Sequence, residues 1–355
     1  MTDFLRGILD WFYSFTSNYG VAVICFTLFI RIILTPFEYK SRKGMRKMQK
    51  IQPKLNALQQ KYANDKQKLQ QKQTELMQKE KYNPLSGCLP MLLQWPILFC
   101  MFYAMRDIAN EKLLEQLITF LSGEVPVYES FLWVKNVFMP DSFMKSVAVD
   151  SSALMGITAE TWTSAFASID AAQLETILAN VRAAVPAAAE MTMEQIFDFT
   201  KSATIQSTID SYIMPTLQTM PQYIAETAHV PGWKGVSFLL FSVTIFQKFN
   251  GLLILPALSG VTQMIMTKVN PAAAGTTPDQ NNNAQQNNGM GAFMKYFFPI
   301  FSVFICLTSN AGFALYWVTI NIFATAQSFV LNKYLDMKEK NEVAETATVG
   351  KGSVK

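Results

Sequence analysis

The feature that most constrains this chain is a series of apolar stretches, each close to the length needed to cross a bilayer. A spanning helix takes about 20 mainly apolar residues. Tyr19–Phe37 reads YGVAVICFTLFIRIILTPF and Leu85–Met105 reads LSGCLPMLLQWPILFCMFYAM. Phe293–Thr308 (FMKYFFPIFSVFICLT) is followed at once by Gly312–Leu331 (GFALYWVTINIFATAQSFVL). A fifth, Gly251–Met266, reads GLLILPALSGVTQMIM and is shorter, with a possible extension backwards toward Phe238–Phe246. Five spans are expected, in an all-α integral membrane protein.

Composition agrees. Charged residues make up 16% of the chain and hydrophobic ones 50%, against about 25% charged in an ordinary soluble domain. The mean hydropathy is +0.16. Disordered, collagen-like, coiled-coil and disulfide-scaffold classes are excluded. A single His argues against most zinc and haem chemistry, which rely on imidazole ligands. Cys25, Cys88, Cys100 and Cys306 lie in apolar stretches without a C-x-x-C pair and read as packing residues.

Charge orients the spans. Residues 38–83 carry 13 Lys+Arg against 4 Asp+Glu, whereas residues 106–250 carry 8 against 15. Lys and Arg resist translocation, so the basic segment belongs to the cytoplasm. Five spans then put the N-terminus outside and the C-terminus inside. Lys333, Lys338, Lys340, Lys351 and Lys355 in the tail agree.

The expected organisation is an extracytoplasmic amphipathic helix at 1–16, spans at 17–37, 84–105, 251–268, 293–310 and 311–332, and a cytoplasmic helical hairpin at 38–83. An extracytoplasmic region covers 106–250, a flexible linker 269–292 and a cytoplasmic tail 333–355. Residues 1–16 lack a basic start, a long apolar core and a cleavage site, so a signal peptide is not expected. Phe4, Leu5, Ile8, Leu9, Phe12 and Phe15 repeat at helical spacing, opposite Asp3, Arg6 and Asp10. In the basic segment Met45, Met48, Ile51, Leu55, Leu58 and Tyr62 recur every three or four residues, and Asn64-Asp65 breaks the pattern. Its charges read either as a solvated helix pair or as a contact for anionic lipid or a ribosome. Segment 142–232 is rich in Ala, Thr and Ser, with helix starts at Asp170 and Thr192, each followed by Gln three residues on. It reads as a small helical insertion without a catalytic set. The run PAAAGTTPDQNNNAQQNNG is low in complexity and reads as a spacer.

Polar residues inside apolar stretches are the candidate site. Arg31 lies about 18 Å along the first span from Tyr19 and about 9 Å from Phe37, at 1.5 Å per residue. A central Arg costs about 2.5–3.5 kcal/mol to insert. Either Arg31 snorkels to the headgroups, or it faces a hydrated cavity. Thr27 and Thr35 stand one turn to either side. Gln94, Gln263, Thr308 to Asn310, Asn321 and Gln327 lie in other spans. Each alone is ordinary interhelical glue; grouped around one cation they suggest a wet, positive groove. Such a groove can pass solutes, cleave a substrate or receive another polypeptide. No inverted repeat, G-x-S-x-G, H-E-x-x-H, intramembrane acidic pair or Walker A sequence is present. Enzymatic chemistry is therefore not expected, and a transporter or channel is disfavoured.

FIRIILTPFEYKSRKGMRKMQKIQPKLNALQQKY, NPLSGCLPMLLQWPILFCMFYAMR, FLWVKN, ILPALSGVTQMIMTK and NAGFALYWVTINIFATAQSF follow one another along the chain. In these motifs and their order the sequence resembles the YidC/Oxa/Alb family of membrane-protein insertases, in its bacterial five-span YidC (SpoIIIJ-like) form. The resemblance implies an insertase and chaperone with a hydrophilic groove open to the cytoplasm and lipid and closed on the outside. It would act alone or with the Sec translocon. Arg31 matches the family's groove arginine, Thr27 a substrate-contacting position, Gln94 the Gln of the second-span motif and Trp317 an aromatic groove position. Gln263 and Asn321 join the site from their mid-span positions. The partners implied are nascent membrane proteins and the bilayer, with the ribosome and Sec translocon as further candidates. No cofactor, metal or direct nucleic-acid recognition is expected. The alternatives are a scaffold subunit of a translocation complex, or a solute transporter or channel. The chain departs from the family between FLWVKNVFMPD and ILPALSG, where it carries on the order of 100 extra residues.

Overall fold

The computed structural model describes residues 2–82, 85–238, 241–269 and 288–352. It is mostly helical. Helix α1 covers Thr2–Thr16, α2 Tyr19–Lys61, α3 Lys66–Lys79 and α4 Leu85–Leu121. Short helices follow: α5 (Ser151–Leu154), α6 (Ala159–Ala167), α7 (Ala171–Ala184), α8 (Met193–Ile196), α9 (Ser202–Thr208), α10 (Met214–Leu217) and α11 (Pro221–Thr227). A two-stranded antiparallel ribbon, β1 (Val236–Phe238) and β2 (Phe241–Val243), precedes α12 (Ile254–Val269), α13 (Asn288–Thr308) and α14 (Ala311–Gly352). Most of the low-complexity linker expected at 269–292 lies outside the described residues. By length and hydropathy, two of the described helices are long and apolar enough to cross a membrane: α2 and the stretch Ala311–Asn341 of α14. Tyr296–Thr308 is a shorter apolar segment.

The ribbon corrects the backward extension of the fifth stretch toward Phe238–Phe246, and is a minor addition to a mostly helical fold that agrees with the all-α expectation. Its register pairs Val236 with Val243, Ser237 with Ser242 and Phe238 with Phe241. Apolar and polar residues therefore alternate at a strand's period of two. A short apolar run such as SFLLFSV does not by itself distinguish strand from helix.

The chain forms two compact units. One comprises Met1–Ile24, Cys100–Ala257 and Phe304–Tyr316. Here the C-terminal part of α4 is a scaffold whose Leu113, Leu114, Leu117, Phe120 and Leu121 are buried. Helix α1 buries Leu5 and Leu9, and its Arg6 forks onto Glu111 at 2.8 and 2.6 Å. Arg6 is thus taken up by a protein carboxylate, which raises its pKa above the ordinary value, chiefly through that hydrogen bond. Phe4, Trp11 and Phe15 remain exposed. The insertion has its own core of Trp162, Phe166, Phe197 and Phe199, with Trp162 stacked on Phe199 at 4.7 Å. Its helices start where the sequence provides caps. The Asp170 carboxylate accepts from the Gln173 N–H at 2.9 Å, and the Gln195 side chain accepts from the Thr192 N–H at 2.8 Å. The insertion docks on α4 through Asn180 to the Leu121 carbonyl (2.8 Å), Gln222 to the Gly123 carbonyl (2.6 Å) and the Tyr223 ring edge-on to Phe120.

The insertion enters and leaves through a closed neck. Val147 donates to the Lys248 carbonyl, Asn250 to the Lys145 carbonyl and Gly251 to the Ser142 carbonyl. Asn136, fully buried, donates its side-chain amide to Gln116 (2.9 Å) and to the Val147 carbonyl (3.0 Å), and its backbone N–H to the Asn250 side chain (2.7 Å). Asp141 accepts from the backbone N–H of Leu252 (2.7 Å), Leu253 (3.2 Å) and Leu255 (2.7 Å) and from the Trp133 indole (3.2 Å). One carboxylate thereby caps α12 and holds Leu253 at a φ of 63°, a costly conformation for a non-glycine residue. A Cβ on Gly251 would fall 1.9 Å from the Asp141 Oδ1, so glycine is required there. Two strand ends that meet explain how so many extra residues fit between FLWVKN and ILPALSG: the chain returns to its starting point.

Candidate functional site

The second unit comprises Cys25–Phe99, Leu258–Val303 and Trp317–Lys355, and it contains Thr27, Arg31, Gln94, Gln263, Trp317 and Asn321, whereas Thr308 to Asn310 fall in the first unit. It inverts the pattern of a soluble protein. Its outward residues include Ile32, Ile33, Val261, Ile322, Phe329 and Val330, while Thr27, Arg31, Arg42, Ser259, Gln263, Ser302, Asn321 and Ser328 are buried. Ile32 and Val330 are 69% and 68% exposed, whereas Arg31 and Asn321 are 7% and 3% exposed. In water this arrangement would be unfavourable on both counts. In lipid it is what the solvent demands, with polar groups collected inside the bundle.

Helix α2 builds the stripe. Thr27, Arg31, Thr35, Glu38, Arg42 and Arg46 follow at steps of three or four, so they share one face. The helix continues through Pro36, which lacks an N–H and disturbs the preceding turn. Pro36 leaves the Ile32 carbonyl without its helical donor, and one residue earlier Thr35 donates its hydroxyl to the Arg31 carbonyl at 2.9 Å. The Arg31 guanidinium lies 3.6 Å from the Glu38 carboxylate, and the other Glu38 oxygen lies 3.9 Å from Arg42 Nε.

Helix α14 supplies the opposing polar groups. Gln327 donates to the Thr35 hydroxyl at 2.8 Å. Arg42 donates to the Ser328 hydroxyl and, at 3.3 Å, to Asn332 Oδ1. Arg46 donates to the Asn332 carbonyl (2.8 Å) and pairs with Asp336 (2.7 Å). Contacts rise together along both helices, so α2 and α14 run parallel here. Beyond them, Lys54 pairs with Glu80 at 2.6 Å and Lys47 donates to the Lys81 carbonyl at 3.0 Å, which ties the end of α2 to the segment after α3. Asp65 caps α3 by accepting from the Lys68 N–H at 3.0 Å.

The expected site residues fall as follows. Thr27 and Arg31 are buried one turn apart on α2. Trp317 and Asn321 are buried one turn apart on α14. Asn321 approaches Thr262 of α12 at 3.4 Å, and Thr262 immediately precedes the buried Gln263. Gln94 lies on α4, with its side chain outside the described residues. Glu38, Arg42, Ser328 and Asn332 were not expected. The signal for the first two was available: Glu38 and Arg42 follow Arg31 by seven and eleven residues, on the same helical face. Both lie beyond Phe37, where the apolar stretch ends.

A bundle with apolar outward faces and a buried cationic stripe defines a helical membrane protein that keeps a polar interior at membrane depth. The chain is matched by the model of the 60Kd inner membrane protein family over residues 11–228 and 212–340, and it belongs to that family. It is 41% identical over 143 residues to the membrane protein insertase YidC of Fusobacterium nucleatum, covering 40% of this chain and 62% of that protein. It is 40% identical over 131 residues to the membrane protein insertase YidC of Clostridium tetani, covering 37% of this chain and 53% of that one. The matched segments span less than two thirds of those relatives' lengths.

Proposed function

We propose that the protein inserts newly made membrane proteins into the bilayer and assists their folding, through a hydrophilic, positively charged groove centred on Arg31. The observation that carries this reading is the buried polar stripe of α2 and α14 inside a unit whose outward residues are apolar. Family membership supports it. In this reading five spans cross the membrane, with the basic α2–α3 segment and the tail in the cytoplasm and α1 and the insertion outside. The asymmetry of Lys and Arg supports that orientation. The exposed Phe4, Trp11 and Phe15 suit a helix lying in the outer interface.

The mechanism follows from desolvation. A polar tail crossing lipid loses its hydrogen-bond partners over the whole hydrocarbon thickness. A groove lined by Thr27, Arg31, Gln263, Trp317 and Asn321 shortens that distance by offering partners part of the way. Arg31 attracts acidic residues of the tail, more strongly than in bulk water because the local dielectric is low. The substrate's apolar segment then leaves along the outward faces into lipid, and its transfer provides the driving force. Nothing in these steps requires a nucleotide. The test is reconstitution of the full chain, alone, into sealed liposomes with a single-span substrate, read by protease protection of the substrate's N-tail. Protection above protein-free liposomes supports the proposal. Solute flux without tail protection would favour a channel, and no activity would favour a scaffold role.

A further inference from the structure

Glu38 is a half-buried acid with 16% of its side chain exposed, set between two buried guanidiniums, at 9% for Arg31 and 4% for Arg42. Its two oxygens lie 3.6 Å from Arg31 and 3.9 Å from Arg42. Charge-assisted N–H···O contacts close at about 2.7–2.9 Å, so the carboxylate has settled fully on neither cation. Arg42 is also bonded to Ser328 and Asn332 on α14, which fixes it in place. Arg31 reaches toward Glu38 from seven residues earlier on the helix. The next cation along the face, Arg46, is already engaged by Asp336 and does not draw on Glu38.

We propose that Glu38 is a resident counter-ion that competes with an incoming acidic residue for Arg31, and that Arg42 is the seat that receives Glu38 when it is displaced. Glu38 is thus a specificity-determining residue: it keeps Arg31 neutralised when no substrate is bound and sets how acidic a tail must be to displace it. The displacement is short. A shift of about 1 Å closes the Arg42 contact to ordinary ion-pair distance. The proposal rests on the insertase reading for the identity of the competitor, an acidic segment of a membrane-protein tail.

The experiment uses the full chain in phosphatidylcholine nanodiscs, with a labelled single-span substrate whose N-tail carries two Asp or, in a matched version, two Asn. Binding is read by fluorescence anisotropy, and insertion is read separately in liposomes of the same lipid. The quantity of interest is the ratio of acidic-tail to neutral-tail affinity, because a general loss of folded protein moves both tails alike. Glu38→Gln removes the competitor, and the ratio rises about fivefold, the size of a modest ion-pair term. Glu38→Asp, with a shorter reach, falls between. Arg42→Gln removes the alternative seat, holds Glu38 on Arg31 and lowers the ratio. An unchanged ratio in Glu38→Gln, or a rise in Arg42→Gln, overturns the proposal and leaves Glu38 a structural pin. If wild type binds with the expected ratios but inserts nothing, the competition stands and the insertase reading fails.

Discussion

Replacing Asp141 tests how the neck of the insertion governs the start of α12, the helix that carries Gln263. The Asp141 carboxylate uses both oxygens. Oδ1 accepts from the Leu252 and Leu253 N–H groups, and Oδ2 from the Leu255 N–H and the Trp133 indole. Asp141→Ala removes the cap of α12 and so leaves the buried Leu255 N–H without an acceptor, which costs about 1–3 kcal/mol. With the separate bonds to Leu252, Leu253 and the Trp133 indole also lost, a total of about 3 kcal/mol is expected. Asp141→Asn is expected to cost nearly as much, because its single carbonyl oxygen serves one pair of donors and its NH2 group faces the other. Amide hydrogen exchange of residues 252–255, followed by mass spectrometry in nanodiscs, reads the local opening directly. At 1.4 kcal/mol per tenfold, exchange there accelerates by about two orders of magnitude in both variants. Exchange within about threefold of wild type in Asp141→Asn would refute the claim that both oxygens are needed.

Other consequences are as direct. A Cβ on Gly20 would lie 2.3 Å from the Phe131 ring, so Gly20→Ala should destabilise the first unit by about 1–3 kcal/mol, measured as a fall in its denaturant midpoint. Thr35→Val removes the acceptor for Gln327 and the bond to the Arg31 carbonyl beside Pro36; a loss of about 1–2 kcal/mol in thermal-unfolding assays is expected, and Thr35→Ser should retain most of it. At Asp150, burial alone would raise the pKa, but the Lys145 ammonium, the Ser152 hydroxyl and the Ala153 N–H outweigh it and hold the carboxyl below its ordinary value. The stability this contributes is present above the unfolded pKa of about 3.9 and is lost as pH falls through the lower folded value. Melting of the first unit between pH 6 and pH 3 should therefore drop more steeply in wild type than in Asp150→Asn; parallel curves would contradict this.

Much of the helical architecture is legible in local patterns. The apolar stretches announce the long helices, and Asp170 and Thr192 announce helix starts because a cap acts within three residues. What is not legible depends on distant partners. The run of α2 through Pro36 depends on packing that no single segment reveals. The closed neck joins Ser142 to Gly251 across more than 100 residues, and neither end carries a signature of the other. The site shows the same division. Arg31 stands out because a cation in an apolar run is anomalous, and Thr27 follows from its spacing. Ser328 and Asn332 enter only because α14 runs parallel to α2, which no pattern within α14 encodes.

The most direct test of the central claim is protease protection of an acidic N-tail by the full chain reconstituted alone, with wild type beside Arg31→Lys and Arg31→Ala. A charged groove predicts insertion by wild type, an intermediate level with Lys, which keeps the charge but not the guanidinium geometry, and failure with Ala. Equal insertion by all three would show that the charge on Arg31 does not act on the substrate, and would contradict the account.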